Sequence, residues 1–256
     1  MYATLAPAEH FDSPGRLAVI ALVVLVLAAV QSVFGVGLLV FGTPTLLLMG
    51  LPFPVVLGCL LPCSIVVSTA QVATSGGLTL EPIRRTFLRL TAPAVVAGTV
   101  VALALGAKLD LRLLVGSMLL LTAALRVSEG VRARISAVVT RRLGVFALAL
   151  GVLHGLTNLG GGVLTVIVAS AYRDKADVRR HIAFCYGLMA VLQLAVVELT
   201  TPPGIPLYLY LALPAVALAS YWLVGRLLFR MAGQTAYQGL LTVLIGGFGA
   251  VLVATA

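Results

Sequence analysis

Acidic side chains are scarce in this chain: eight among 256 residues, each at or near the end of an apolar run (Glu9, Asp12, Glu81, Asp110, Glu129, Asp174, Asp177 and Glu198). With no carboxylate inside a run, the sequence offers no intramembrane proton relay and no cation site of the kind found in pumps and metal-ion transporters. Charge of either sign is thin, at 10% of residues. Cysteine is reduced to three positions. Cys59, Cys63 and Cys185 all lie in apolar segments without a histidine at metal-ligand spacing, so they read as packing and not as a disulfide or a metal site. No His-Glu-x-x-His occurs, and Gly116-Ser117 lacks the following glycine and a histidine partner. The expectation is therefore no catalytic residue, no metal and no cofactor.

What fills the chain instead is apolar: 61% hydrophobic residues and a mean hydropathy of +1.15. No soluble domain of this length needs so much apolar side chain, which places the protein in the membrane. The net charge of +9 would point to nucleic acid in a soluble protein. Here the bases cluster in short gaps between apolar runs, and the interleaved aromatics and basic face of a nucleic-acid binder are missing, so no nucleic-acid partner is expected and the lipid bilayer is. Residues 1–16 hold a single base, Arg16, and lack a secretory n-region; they read as a tail, with Leu17 opening a retained first span.

Apolar segments run at about 17–33, 38–50, 54–74, 87–105, 111–125, 143–158, 163–172, 182–197, 207–228 and 238–253. A crossing helix wants about 20 apolar residues, so 38–50 and 163–172 are short. Each follows a glycine interruption, "SVFGVGLLV" at 32–40 and "TNLGGGVLT" at 157–165. Counting each interrupted pair once leaves four segments before a basic linker at 126–142 and four after it. A shift of 125 superposes Gly35-Val36-Gly37 on Gly160-Gly161-Gly162, and a polar-dotted helix follows each interruption. The chain reads as a tail (1–16), a first transmembrane repeat (17–125), a cytoplasmic linker (126–142) and a second repeat (143–256).

Basic residues orient the halves. If each interrupted pair crosses once, the inner gaps hold nine bases and the outer gaps eight, which is no bias. If each pair enters and turns back, fourteen of the seventeen bases fall on one side, in the clusters at 84–89, 126–142, 173–180 and 226–230. The positive-inside rule selects the second arrangement. A returning hairpin plus three spans starts and ends on opposite faces, so the second half is inverted. The expected fold is an all-α polytopic membrane protein of two inverted-topology repeats, each a broken, re-entrant helical hairpin plus three transmembrane helices. That architecture recurs in secondary transporters.

An interrupted backbone survives in hydrocarbon only where it lines protein or a watery cavity. The helix after each interruption presents free N–H groups and the positive end of its dipole, which suits an anion. The candidate contacts are Gly35, Gly37, Gly160, Gly161 and Gly162 with Asn158, whose amides and side chain would hold the anionic head. Gln31, Gln71, Gln193 and His154 would shape selectivity, with Ser32, Thr43, Ser64, Ser68 and Thr157 as further polar positions facing the tips. Asn158 or Ser32 could also cap the short helix that follows.

The stretches "GVGLLVFGTPTLLLMGLP" and "HGLTNLGGGVLT", with the four-plus-four layout, resemble the sulfite exporter TauE/SafE family of bacterial membrane transporters over residues 17–256. Gly35, Gly37, Pro44, Gly50, Leu51 and Pro52 carry the resemblance in the first half. The second half keeps the glycines, has no proline between Val163 and Tyr172, and carries "YRDKADV" in place of Gly-Leu-Pro. The resemblance implies a multi-pass protein of the bacterial inner membrane that moves sulfite, organosulfonates or related sulfur-containing anions. The function expected is a secondary transporter, acting as an exporter of a small anion by alternating access. The alternatives are an anion channel of the same fold and a membrane scaffold or sensor that transports nothing.

Overall fold

The computed structural model describes residues 11–75, 82–106 and 141–231, apart from 12, 173, 202 and 203, together with scattered residues of 113–139 and 243–255. Large parts of the segments expected at 111–125 and 238–253, the tail before residue 11 and most of the 126–142 linker lie outside the described residues. Among the described residues all regular structure is helical.

α1 (Pro14–Phe34) opens with proline at its first turn, where the missing N–H has no partner to lose, and stops at Gly35 in the left-handed conformation (φ 76). α2 (Leu38–Leu48) follows after only three residues. A second left-handed glycine, Gly50 (φ 80), and Pro52 turn the chain into α3 (Phe53–Ala73). α4 (Pro82–Thr86) passes through a π-helical turn (Phe87–Thr91) into α5 (Ala92–Leu105). The later helices are α6 (Leu143–Thr157), α7 (Gly161–Ala171), α8 (Lys175–Thr200) and α9 (Leu207–Ser220), the last continuing through a π turn (Tyr221–Gly225) into α10 (Arg226–Met231). Asp174 caps α8, its Oδ1 accepting from the N–H groups of Ala176 (2.8 Å) and Asp177 (3.1 Å).

Among the described residues, five helical segments are long and apolar enough to cross a membrane: Pro14–Phe34, Phe53–Ala73, Arg84–Leu105, Lys175–Thr200 and Leu207–Met231. At 1.5 Å per residue a 21-residue helix covers about 31 Å, whereas the 11 residues of α2 or α7 cover about 16 Å, half a bilayer core. The outward faces are apolar: Leu22, Leu211 and Leu223 are 59%, 70% and 77% exposed. The protein is a polytopic helical membrane protein.

At each interruption the chain reverses. A Cβ added to Gly37 would fall 2.6 Å from the Gln31 nitrogen and 2.9 Å from the Leu27 oxygen, and one on Gly42 would meet Leu27 and Leu60. So α2 folds back along α1 and lies against α3. Likewise a Cβ on Gly160 would meet His154 and Leu150 of α6. α3 and α8 form the centre and run antiparallel: Gly187 packs on Ser68, and Arg180 Nη1 donates to the Ser75 carbonyl at 3.3 Å. α5 lies parallel to α6, with Thr91 Oγ1 donating to the Ala147 carbonyl (2.8 Å) and Val95 against Gly155. α9 lies parallel to α1 in the same way, with Ser220 Oγ donating to the Leu25 carbonyl (2.7 Å) and Gly225 against Ser32.

Candidate functional site

The first interruption is held by two glutamines. Gln31, in the last turn of α1, gives its backbone carbonyl to the Gly35 N–H (2.8 Å) and to Gln71 Nε2 from α3 (2.9 Å). Gln71 Nε2 also reaches the Ser32 carbonyl (3.3 Å). The Gln31 side chain faces both ways: its Oε1 accepts the first N–H of α2, from Leu38 (3.3 Å), while its Nε2 donates to Ser64 Oγ and Ser68 Oγ on α3 (both 3.2 Å). A glutamine is the shortest side chain that carries both functions far enough to join three helices.

The second interruption repeats this arrangement with other residues. The His154 carbonyl accepts from the Asn158 N–H (2.7 Å) and from Gln193 Nε2 of α8 (3.1 Å). His154 Nδ1 accepts the Gly160 N–H at the head of α7 (3.1 Å), which leaves the ring proton on Nε2. His154 therefore stands where Gln31 stands, and Gln193 where Gln71 does. Asn158 occupies the left-handed position (φ 62) that Gly35 takes in the first half. Its Nδ2 donates to Thr43 Oγ1 of α2 (2.9 Å), tying one hairpin to the other.

The ten polar side chains singled out from the sequence are thus gathered around the two tips, and all are buried, none more than 1% exposed. Their roles differ in part from the expectation. Neither Ser32 nor Asn158 caps a short helix; the N-caps are Gly37 and Gly160, without side-chain caps. Ser32 Oγ donates to the Ala28 carbonyl (2.6 Å) and Thr157 Oγ1 to the Leu153 carbonyl (2.6 Å), the local bonding usual for hydroxyls in membrane helices. Two of the amides expected to be free are taken, by Gln31 and His154. Gly161 and Gly162 open α7, and the Gly162 carbonyl accepts from Thr165 Oγ1 (2.6 Å).

The heads of the two short helices touch. A Cβ on Gly161 would come within 2.7 Å of Val40 and 3.0 Å of Val36 and of the Tyr186 ring. Tyr186, two turns before Gln193 on the same face of α8, was not among the sequence candidates; that spacing is the signal that marks it. Its ring centroid lies 5.9 Å from that of His154. Five buried polar atoms near the tips have no hydrogen-bond partner: Gln71 Oε1, His154 Nε2, Asn158 Oδ1, Tyr186 Oη and Gln193 Oε1. A small apolar gap, with room for about one water, lies between α4, the π turn, α6, α7 and α8, lined by Thr86, Phe87, Thr91, Leu143, Ala147, Leu150, Leu164, Ile167 and Cys185, and it includes none of the polar tip residues.

Two bases counted as surface charge turn inward. Arg84 is 2% exposed with its guanidinium 5.2 Å from the Phe184 ring centroid. Arg179 donates to the Ser32 carbonyl (3.3 Å) and stacks 3.6 Å from the Phe229 centroid.

Asn158 offers a direct check on the second tip. A left-handed backbone costs a residue with a Cβ about 1–2 kcal/mol, a penalty glycine escapes. Asn158→Gly should therefore unfold at a higher temperature than Asn158→Ala, although both lose the bond to Thr43. Equal melting temperatures for the two variants in detergent would contradict the assigned conformation.

Fold and site together define a helical membrane protein with two interrupted hairpins meeting tip to tip in a closed interior. No family model matches the chain, no curated protein matches its sequence and no solved structure matches its fold.

Proposed function

We propose that this protein is a secondary transporter that exports a small anion across the bacterial inner membrane by alternating access between two inverted repeats. The observation that carries the reading is the contact between the heads of α2 and α7. Each helix N-terminus bears about half a positive charge, and two such ends held together in a buried interior are electrostatically unfavourable until an anion lies between or beside them. Cations gain nothing from such a place, and the sequence puts no carboxylate near it.

Inversion of the halves is supported by the reciprocal packing. α3 meets α8 antiparallel, as an element and its inverted counterpart would at a twofold axis in the membrane plane. α5 lies parallel to α6, and α9 parallel to α1, which are the two versions of one contact. The placement of fourteen of seventeen bases on one side agrees. The resemblance to the sulfite exporter family makes sulfite and organosulfonates the first substrates to try.

Purified protein in vesicles should pass at least one of sulfite, methanesulfonate, isethionate, nitrate and formate, with a flux that saturates. Flux without saturation would identify a channel. No flux and no anion-dependent change in melting temperature would overturn the reading. Topology has its own test, since the native cysteines Cys59, Cys63 and Cys185 are buried and free. A cysteine at the exposed position 175 should label with a membrane-impermeant maleimide only from the cytoplasmic side. Labelling from outside intact cells would rule out the returning hairpins in the proposed orientation.

A further inference from the structure

The Tyr186 side chain is unexplained by packing alone. It is wholly buried, and its hydroxyl stands before the Val40 and Leu39 N–H groups in the first turn of α2 without reaching good hydrogen-bond geometry to either. The first N–H groups of any helix have no intrahelical acceptor. At α2 the Leu38 N–H is taken by Gln31, so Leu39 and Val40 are the ones presented to the tyrosine. A phenol donates its proton as readily as it accepts one. Phenylalanine would fill the same space without burying an unpaired hydroxyl.

We propose that the head of α2, with the Tyr186 hydroxyl in front of it and Gly161 beside it, is the binding subsite for a singly charged oxyanion. The inference rests on the transporter reading and specifies its site. Backbone amides of α2 and the phenol are neutral donors aimed at one place, which suits the acceptor oxygens of an oxyanion. The two helix ends together supply about one positive charge, matching one negative charge and leaving a second unbalanced. The inward-turned guanidinium groups are engaged with other groups: Arg179 with the Ser32 carbonyl and the Phe229 ring, Arg84 with the Phe184 ring. A doubly charged anion would thus be buried with half its charge uncompensated, which is strongly unfavourable. Gly161 sets the size limit, because even one added carbon there meets Val40, Val36 and the tyrosine ring. Parting of the tips, which alternating access requires, opens this space.

The test compares wild type, Tyr186→Phe and Tyr221→Phe in the same vesicles. Tyr221 bonds Thr74 through its hydroxyl (2.6 Å) and controls for loss of a buried phenolic group that does not face the head of α2. The probes are nitrate, formate and methanesulfonate, each singly charged, against sulfate and thiosulfate, each doubly charged. In wild type the singly charged probes should half-saturate at concentrations at least tenfold below the doubly charged ones. Tyr186→Phe should raise the half-saturation concentration for a transported probe at least tenfold, and Tyr221→Phe should leave it within twofold. Tyr186→Phe behaving as wild type, or sulfate half-saturating as readily as methanesulfonate, would overturn the assignment while leaving transport intact. Wild-type vesicles that pass none of these anions would instead remove the transporter reading itself. Should Tyr186→Phe fail to fold, the charge preference of wild type decides the matter alone.

Discussion

Gly155→Leu should leave no folded protein after detergent extraction, and Gly155→Ala should lower the melting temperature steeply. A Cβ at Gly155 would stand 2.5 Å from the Val95 oxygen, 2.7 Å from the Thr99 nitrogen and 2.8 Å from the Gly98 α-carbon. All three are main-chain atoms of α5, so no rotamer change relieves the clash. The helices would have to separate, losing the bond from Thr91 to the Ala147 carbonyl and the close fit of Gly151, whose own added Cβ would lie 2.5 Å from the Thr91 oxygen. Lipid tails are as apolar as leucine, so membrane helices are held by close packing and interhelical hydrogen bonds, with no hydrophobic drive between them. Overpacking by one methyl group costs about 1–3 kcal/mol where side chains can yield; against backbone the upper end applies. Gly144→Ala on the same helix is the control, since its added carbon meets only the flexible end of Leu90 at 3.3 Å. Equal melting temperatures for Gly155→Ala and Gly144→Ala would refute this account of the α5–α6 contact.

Gln31→Leu should have an effect of similar size by another route. The substitution fills the volume but strands the Leu38 N–H and deprives Ser64 and Ser68 of their donor, all in a region closed to water. Each stranded buried group costs about 1–3 kcal/mol. Adding Ser64→Ala and Ser68→Ala should then recover part of the loss, because removing both partners of a buried hydrogen bond is far milder than removing one. A residue that touched only the substrate would change half-saturation and leave the ligand-free melting temperature alone. Gln31→Leu with unchanged thermal stability would place Gln31 in that second category.

Much of the layout was legible in the residues. The glycine clusters around 35–37 and 160–162 mark where the helices stop: Gly35 takes the left-handed turn at the first tip, and Gly37 and Gly160 let the chain pass within contact of its own preceding helix, although at the second tip the left-handed residue is Asn158. The basic clusters predict returning hairpins, since only a return gathers them on one side, and the chain does reverse at both interruptions. What the letters could not separate was a glutamine waiting for a ligand from a glutamine serving a carbonyl. Both are buried and polar, and only coordinates reveal that Gln71 and Gln193 spend their amide nitrogens on the ends of α1 and α6. The close fit of α6 on α5 hides in "GVLHG", where Gly151 and Gly155 sit one turn apart among residues chosen for hydrophobicity. The π turns at 87–91 and 221–225 have no letter signature; nothing in "FLRLT" or "YWLVG" distinguishes them from ordinary helix. Pro44, Pro62 and Pro214 all lie inside continuous helices, so proline does not mark the interruptions here.

Each interruption is closed chiefly by its own portion of the chain: Gln31, Ser64, Ser68 and Gln71 lie within sixty residues of Pro14, and His154 and Gln193 lie within fifty-one of Leu143. A nascent chain leaving the ribosome therefore completes the first tip once α3 has entered the bilayer, before α6 is synthesised. The exposed amides of one tip need not wait on the arrival of the other, and the bond from Asn158 to Thr43 can form last, as a latch between two units already sealed.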